Sequence, residues 1–225
     1  MGARAAKDAL FEAQAGVAKA LASGRRAEIV DLLAQGERSV EEVAAEMDQS
    51  VANTSHHLRT LARAGLLQSR REGTRVRYRL ASESVAQLWH AIRDVAADHV
   101  AGIEHLTRAY LGGNGELEPL TRAELQRRLD AGDVVVIDVR PAAEYVAGHV
   151  AGARSMPIRE LERHIRALPN DAEIVAYCRG PYCVFADDAV RVLRSKGLEA
   201  RRLVDGFPEW RRAGLPVAVG EEEVR

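Results

Sequence analysis

The sequence predicts a protein of two domains, the first mainly helical and the second an α/β domain built on a parallel sheet. The segment LGGNGELEP at 111–119 combines three glycines, an asparagine and a proline, which is typical of a linker. Helical periodicity dominates before it. After it, apolar β-rich runs alternate with helical stretches, as in parallel α/β layers. We therefore place the domains at 1–111 and 119–225, joined by a glycine-rich linker at 112–118.

The composition is that of an ordinary globular chain, with 225 residues, 47% hydrophobic and 29% charged. No apolar run approaches the roughly 20 residues that cross a bilayer. Charged residues interrupt the apolar positions of the first 24 residues, which is unlike a signal peptide. We therefore expect a cytoplasmic protein without a membrane partner, in a compartment where structural disulfides are rare.

The net charge of −1 conceals a strongly basic segment. Residues 50–80 contain one acid, Glu72, against seven arginines: Arg59, Arg63, Arg70, Arg71, Arg75, Arg77 and Arg79. Such a patch predicts an anionic partner. The alternative is a solvated charged face, and the local pattern has to decide between the two.

Two short helices joined by a turn are predicted before this patch. Ser39 and Glu42 form a capping-box start to a helix over 39–47, and Ser50 can cap a second helix that ends near Ala64. The inward face of the second helix is expected to carry Val51, Ser55, Leu58, Leu61 and Ala62. The opposite face carries side chains that can bond to base edges or phosphates: Asn53, His56, His57 and Thr60.

A hairpin is predicted over 65–80, with its turn near Glu72 and Gly73. The return strand alternates strictly. Its outward residues are Arg75, Arg77 and Arg79, and its inward residues are Val76, Tyr78 and Leu80. A basic hairpin directly after a helix-turn-helix is a wing, which favours nucleic-acid binding. The candidate DNA contacts are Ser50, Asn53, Ser55, His56, His57, Arg75 and Arg77.

Residues 20–111 resemble the winged helix-turn-helix of the ArsR/SmtB repressors. The resemblance rests on SVEEVAAEMDQSVANTSHHLRTLARAGLLQSRREGTRVRYRL. It implies a homodimer that binds double-stranded operator DNA and loses affinity when a signal binds. It also implies that 8–21 and 85–110 pair with their symmetry mates, which fits an apolar stripe along 85–110.

Many members of that family sense metals, but this chain lacks their usual ligands. The cysteine pair often found at the start of the first motif helix is absent from RSVEEVA. His90, Asp94 and Asp98 share a helix face, and we interpret this row as solvated or ion-paired. We assign no metal site and no cofactor to the chain.

The chain's two cysteines lie in one loop, within AYCRGPYC at 176–183. A buried strand precedes the loop and a helix from about Val184 follows it. Backbone N–H groups between a strand end and a helix start form an anion cradle that favours the thiolate of Cys178. Arg179 adds a positive charge nearby. The other candidate loop residues are Gly180, Pro181, Tyr182 and Cys183.

Residues 118–220 resemble the rhodanese domain through IDVR…EY..GH..GA…P and DGFPEW..AGLPV. The resemblance implies that Cys178 accepts a sulfane sulfur as a persulfide, held by the amides of 179–183. Four polar residues are expected to be structural, namely Asp138, Arg140, Glu144 and His149, and Trp210 to lie in the core. Because Arg179 is the loop's sole cation, the sequence favours a persulfide donor over thiosulfate.

Three interpretations of Cys183 stay open. It can be a small buried hydrophobe at the helix start. It can be a zinc ligand, which would need two more ligands where this half offers His149 and His164. It can also be a resolving thiol that attacks the persulfide on Cys178 and leaves a disulfide, which requires Cα atoms within about 7 Å.

The joint hypothesis is a dimeric repressor whose rhodanese domain senses a small sulfane-sulfur compound or oxidant through a Cys178 persulfide or a Cys178–Cys183 disulfide. One alternative is a sulfurtransferase with an attached DNA-binding domain, so weak enzymatic activity at Cys178 is left open. Another is a metalloid-responsive repressor that binds its signal through the same two thiols.

Overall fold

The computed structural model describes residues 2–111, 119–169 and 171–220. The chain divides into two compact units, residues 1–100 and 101–225. The linker predicted at 112–118 lies outside the described residues. Each unit is described by itself.

The first unit is a winged helix-turn-helix, as predicted. Its helices are α1 (Ala3–Leu21), α2 (Gly24–Ala34), α3 (Val40–Glu46), α4 (Val51–Arg63) and α5 (Glu83–His99). Its strands are β1 (Arg38–Ser39), β2 (Leu67–Glu72) and β3 (Arg75–Leu80), which form an antiparallel sheet in the order β1-β3-β2. The Ser39–Glu42 capping box is present at the start of α3, where both reciprocal hydrogen bonds form.

The helix after the wing is shorter than the predicted apolar stripe. That stripe runs from residue 85 to 110, but α5 ends at His99 and a new helix, α6 (Ile103–Leu111), follows. Gly102 lies between them at φ 84°, in the left-handed region that interrupts a helix. The stripe is therefore divided between two helices.

The core of the first unit is formed by the inward faces of α2, α3 and α4 under the wing. Fully buried side chains include Ile29, Val30, Val43, Leu58 and Leu61. By contrast, large apolar side chains on α1 and α5 are exposed: Leu10, Phe11, Leu88, Ile92 and Val95. Exposed apolar residues on these two helices are available for a partner to cover.

The second unit has the predicted parallel α/β architecture. Besides α6, its helices are α7 (Arg122–Ala131), α8 (Ala142–Ala147), α9 (Leu161–His164), α10 (Phe185–Ser195) and α11 (Phe207–Arg212). Its strands are β4 (Val134–Asp138), β5 (His149–Val150), β6 (Arg154–Ser155), β7 (Glu173–Cys178), β8 (Ala200–Gly206) and β9 (Val217–Ala218).

The central sheet of this unit has the order β6-β4-β7-β8 with all strands parallel. Apolar clusters pack in its interior, one around Ile137, Ile174 and Val190 and another around Tyr177 and Trp210. Because both faces are covered, β4 and β7 read as continuous apolar runs. Their carboxyl ends lie side by side, which brings Asp138 and Cys178 to one edge of the sheet. None of the described helices is long and apolar enough to span a bilayer.

Candidate functional sites

The second helix of the motif, α4, begins with a capped first turn. The Ser50 hydroxyl accepts a hydrogen bond from the Asn53 amide at 3.2 Å, as the sequence predicts for a helix cap. Asn53 is exposed, and its side-chain amide donates to Gln49 at 3.1 Å. Both polar side chains therefore lie at the start of the helix, the part that enters a major groove in helix-turn-helix proteins.

The inward face of α4 differs from the predicted one at its first residue. Thr54, Leu58 and Leu61 are buried, at spacings of four and three residues. Val51, predicted to point inward, is 48% exposed, so that prediction is wrong. A residue in the first turn has helical neighbours on one side only and is easily left uncovered. Ser55, placed on the same face, is half-buried.

The two histidines of α4 differ in environment. His56 is exposed, whereas His57 is half-buried. Burial lowers the pKa of His57, and the nearby charges of Arg26, His56 and Arg25 lower it further. The imidazole of His57 is therefore neutral at pH 7 and offers one donor and one acceptor.

The wing keeps the predicted alternation. Tyr78 is buried and Val76 and Leu80 are half-buried, while Arg75 and Arg79 are exposed. Arg77 is the exception among the outward residues, because its side chain is 20% exposed and lies among carboxylates.

The cysteine loop connects the end of β7 to the start of α10, as predicted. Cys178 is the last residue of β7 and is 1% exposed; Cys183 is half-buried and packs against the core. The structure joins them as a disulfide with their Cα atoms 6.3 Å apart. The loop therefore curls as the resolving-thiol interpretation requires.

Backbone geometry explains how six residues close this loop. Gly180 adopts φ 151°, a conformation that residues with a side chain rarely enter. Its carbonyl accepts a hydrogen bond from the Cys183 amide at 3.1 Å. The Cys183 amide is thus already hydrogen-bonded, and Pro181 has no amide hydrogen. Fewer than five backbone N–H groups of 179–183 are therefore available to hold a bound sulfur.

Arg179 does not supply the loop with an unpaired positive charge. Its guanidinium contacts the carboxylate of Glu144, with the Nη2–Oε1 distance at 2.5 Å and the Nε–Oε1 distance at 3.0 Å. The Glu144 side chain is fully buried, and that of Arg179 is 12% exposed. The cation expected beside Cys178 is thus neutralised by a carboxylate that the sequence places 35 residues away.

The polar residues at the end of β4 form a buried network, in agreement with their expected structural role. The Asp138 carboxylate accepts hydrogen bonds from Arg140 at 2.6 Å and from the Tyr177 hydroxyl at 2.6 Å. Both Asp138 and Arg140 are fully buried. Burial, together with the charge of Asp138, raises the pKa of Tyr177 well above its usual value. The network ties β4 to β7 directly below the loop.

Two further expected core residues are buried. His149 is fully buried, stacks on the Tyr145 ring at 3.6 Å and bonds to the Tyr145 carbonyl through Nδ1 at 2.9 Å. Trp210 is also fully buried, and its indole N–H donates to the Pro216 carbonyl at 2.8 Å.

Gly206 is a site residue that sequence reasoning missed. It ends β8 opposite Cys178. A Cβ at this position would lie 2.1 Å from the Gly180 nitrogen and 2.5 Å from the Cys178 carbonyl oxygen. Glycine is therefore the residue that lets the loop backbone approach β8. The position of Gly206 within the DGFPEW motif is the sequence feature that could have identified it as a site residue.

The candidate metal ligands are not brought together. His149 is buried and His164 is exposed. Of the row expected to be solvated or ion-paired, Asp94 and Asp98 are exposed, whereas His90 is buried and so is not solvated. Across the described part of the chain, no three His, Cys, Asp or Glu side chains are grouped to hold a metal ion.

Two family models match the chain in its two units. Residues 23–69 match the model for bacterial regulatory proteins of the arsR family, and residues 121–213 match the rhodanese-like domain. The first match contains the helix-turn-helix, and the second contains the cysteine loop.

Individual proteins are similar to the whole chain or to parts of it. The HTH-type transcriptional regulator Rv0324 of Mycobacterium tuberculosis is 50% identical over 214 residues, which cover 95% of this chain and 94% of that protein. A sulfurtransferase of Allochromatium vinosum is 29% identical over 96 residues, or 43% of this chain and 89% of that protein. A solved homodimeric winged helix-turn-helix DNA-binding domain from Mycobacterium bovis is 46% identical, covering 44% of this chain and 91% of that one, with a TM-score of 0.41.

Proposed function

Because the chain belongs to the ArsR family of HTH-type transcriptional regulators and carries a C-terminal rhodanese-like domain, we propose that it is a homodimeric repressor that senses reactive sulfur or oxidants. The observation that carries the proposal is the cysteine loop. Cys178 and Cys183 share a loop that brings their Cα atoms to 6.3 Å and joins them as a disulfide. A cysteine poised next to a resolving cysteine is a common arrangement in redox sensors.

The chemistry takes two steps when the donor is a low-molecular-weight persulfide, RSSH. The Cys178 thiolate attacks the outer sulfur, RSH leaves, and Cys178 becomes a persulfide. The Cys183 thiol then attacks the inner sulfur of that persulfide, H₂S leaves, and the disulfide forms. The two thiols of the loop are oxidised and the donor's sulfane sulfur is reduced to sulfide.

The charges around the loop favour this class of donor. Arg179 is paired with Glu144, and in the first turn of α10 Asp187 is paired with Arg202 and Asp188 with Arg191. Acidic residues at a helix start offset the positive end of its dipole. A dianion such as thiosulfate gains little attraction from such a loop, whereas a small persulfide of low charge loses little by entering it.

The exposed apolar surface of the first unit supports a homodimer. Leu10 and Phe11 on α1 and Ile92 and Val95 on α5 lie uncovered. The similar domain from Mycobacterium bovis is homodimeric. Pairing of these helices with a second copy would bury side chains that a monomer exposes to water. A dimer would also present two copies of α4 to two half-sites.

A DNA-binding titration tests the sensor. The full-length protein is titrated onto a duplex from upstream of its own gene, either reduced or pretreated with a low-molecular-weight persulfide. Wild type, Cys178→Ser and Cys183→Ser are compared. We expect treatment to change the wild-type affinity at least tenfold, about 1.4 kcal/mol. Cys178→Ser should not respond.

Cys183→Ser separates the two steps, because it can form the persulfide but not the disulfide. A response in Cys183→Ser would assign the signal to the persulfide, and no response would assign it to the disulfide; intact-mass spectra identify the species present. Equal affinity of the treated and reduced wild type would overturn the sensor. Faster loading of Cys178 by thiosulfate than by the persulfide would overturn the donor class.

A further inference from the structure

A cluster of ion pairs lies at the base of the wing and involves five residues, Glu37, Glu42, Arg70, Glu72 and Arg77, here called the wing-base cluster. Both carboxylate oxygens of Glu37 accept a hydrogen bond from Arg70, with an Nε–Oε1 distance of 2.8 Å and an Nη2–Oε2 distance of 2.9 Å. This two-point geometry is the one that fixes a guanidinium group most firmly. It connects β2 to the residue just before β1, across the central strand β3.

Arg77 is held in the same cluster. Its Nη2 donates to the Glu37 carbonyl at 3.1 Å. Its guanidinium also lies 3.5 Å from the Glu42 carboxylate and 3.6 Å from that of Glu72. The Arg77 side chain is 20% exposed and has acceptors on several sides. Its N–H groups therefore point at the protein and not at solvent.

The register explains why the cluster contains so many carboxylates. Arg70 and Arg77 are direct partners across β2 and β3, so their side chains share one face of the wing. Like charges in that position repel, and carboxylates between them offset the repulsion. Three carboxylates against two guanidinium groups leave one negative charge in excess, which disfavours a DNA phosphate at this place.

The arginines at the tip of the wing, unlike those at its base, are not held by any carboxylate that the structure describes. Arg75 begins β3 opposite Glu72, and Arg71 lies on the other face opposite Val76. Both are exposed. Within the described parts of the chain, neither guanidinium lies within ion-pair distance of a carboxylate. The pKa of Glu41 is lowered by its own backbone amide, by the Ser39 side chain and, more weakly, by the charge of Arg75, which lies near that carboxylate without pairing with it. The guanidinium groups of Arg71 and Arg75 can therefore meet an anionic partner.

We infer that Glu37 is the positioning residue of the wing, holding Arg70 and Arg77 in the wing-base cluster while Arg71 and Arg75 at the tip make the wing's phosphate contacts. Arg77, a DNA contact in the sequence prediction, is thereby given a structural role. The inference depends on DNA binding alone and stands whether or not the cysteine loop is a sensor.

The salt dependence of DNA affinity tests this division. Each phosphate contact contributes about 0.9 to the slope of log K against log salt concentration. The reduced full-length protein is titrated with KCl on a duplex from upstream of its own gene and on an unrelated duplex of equal length. Arg75→Gln should flatten the slope by about 1 for each protomer on the DNA. Arg77→Gln is the matched control, two residues along the same strand and face, and should leave the slope unchanged.

Glu37→Gln gives the opposite result, because it removes the two-point carboxylate contact of Arg70 and one repelling charge, while Arg77 keeps its hydrogen bond to the Glu37 carbonyl. We expect a steeper slope and a higher affinity for the unrelated duplex. A purely structural role for Glu37 would weaken binding to both duplexes without steepening the slope.

The inference is overturned if Arg77→Gln flattens the slope as much as Arg75→Gln, or if Glu37→Gln leaves it unchanged. Circular dichroism confirms that each variant is folded. If Arg77→Gln is unfolded, Arg70→Gln takes its place and must also leave the slope unchanged, while Arg71→Gln must flatten it.

Discussion

The two candidate sites are held in place in different ways. The wing is fixed at its base by ion pairs whose side chains are 20–52% exposed, and its tip is free. The cysteine loop rests on ion pairs with fully buried members, namely Asp138 with Arg140 and Glu144 with Arg179, and on a backbone contact at Gly206. A surface that meets a long polyanion can move and rely on solvated charge, whereas two cysteines joined in one loop need a fixed separation.

The largest effect should follow from breaking the buried network below the loop. Asp138→Ala leaves Arg140 buried without its main partner, which should lower the unfolding free energy of the second unit by about 3–5 kcal/mol. Asp188→Asn is the control, because it removes an exposed partner of Arg191 and should cost under about 1 kcal/mol.

Hydrogen exchange measured segment by segment on the full chain separates the two units. Protection should fall in β4 and β7 and stay constant in α4. Equal effects of Asp138→Ala and Asp188→Asn would contradict the contrast between buried and exposed pairs.

An intermediate effect is expected at the contact between the loop and β8. Gly206→Ala puts a Cβ against backbone atoms of Cys178 and Gly180, which cannot move as a side chain can. Overpacking of this kind costs about 1–3 kcal/mol. The displaced loop should also form its disulfide more slowly, as followed by thiol titration after addition of an oxidant. Gly16→Ala, where a Cβ would meet nothing within 4 Å, should leave the oxidation rate unchanged.

The smallest effect on stability is expected in the wing. Arg77→Gln removes several half-exposed ion pairs, each of which contributes little in water, so the unfolding free energy of the first unit should fall by under about 1 kcal/mol. Hydrogen exchange of β1 and β3 provides the measurement. A loss as large as that of Asp138→Ala would show that the wing is held as rigidly as the loop and would remove the contrast between the sites.

Much of the architecture was predictable because it is encoded in neighbouring residues. The caps of α3 and α4, the alternation along β3 and the strand–loop–helix order around Cys178 each follow from spacings within one segment. The predictions that turned out wrong concern how those elements pack. Val51 is exposed at a helix end, and the stripe over 85–110 is interrupted at Gly102.

By itself the sequence determined the two-domain architecture, the winged helix-turn-helix and the placement of both cysteines in one loop, since periodicity, capping and turn residues act over a few positions. The tertiary structure decided which charges are free. Glu37 meets Arg70 across 33 residues and Glu144 meets Arg179 across 35. Gly206 reaches Gly180 because β8 lies beside β7. In both ion pairs the partner of each charged side chain is far away in the sequence. The order and packing of the strands and helices determine which partner that is.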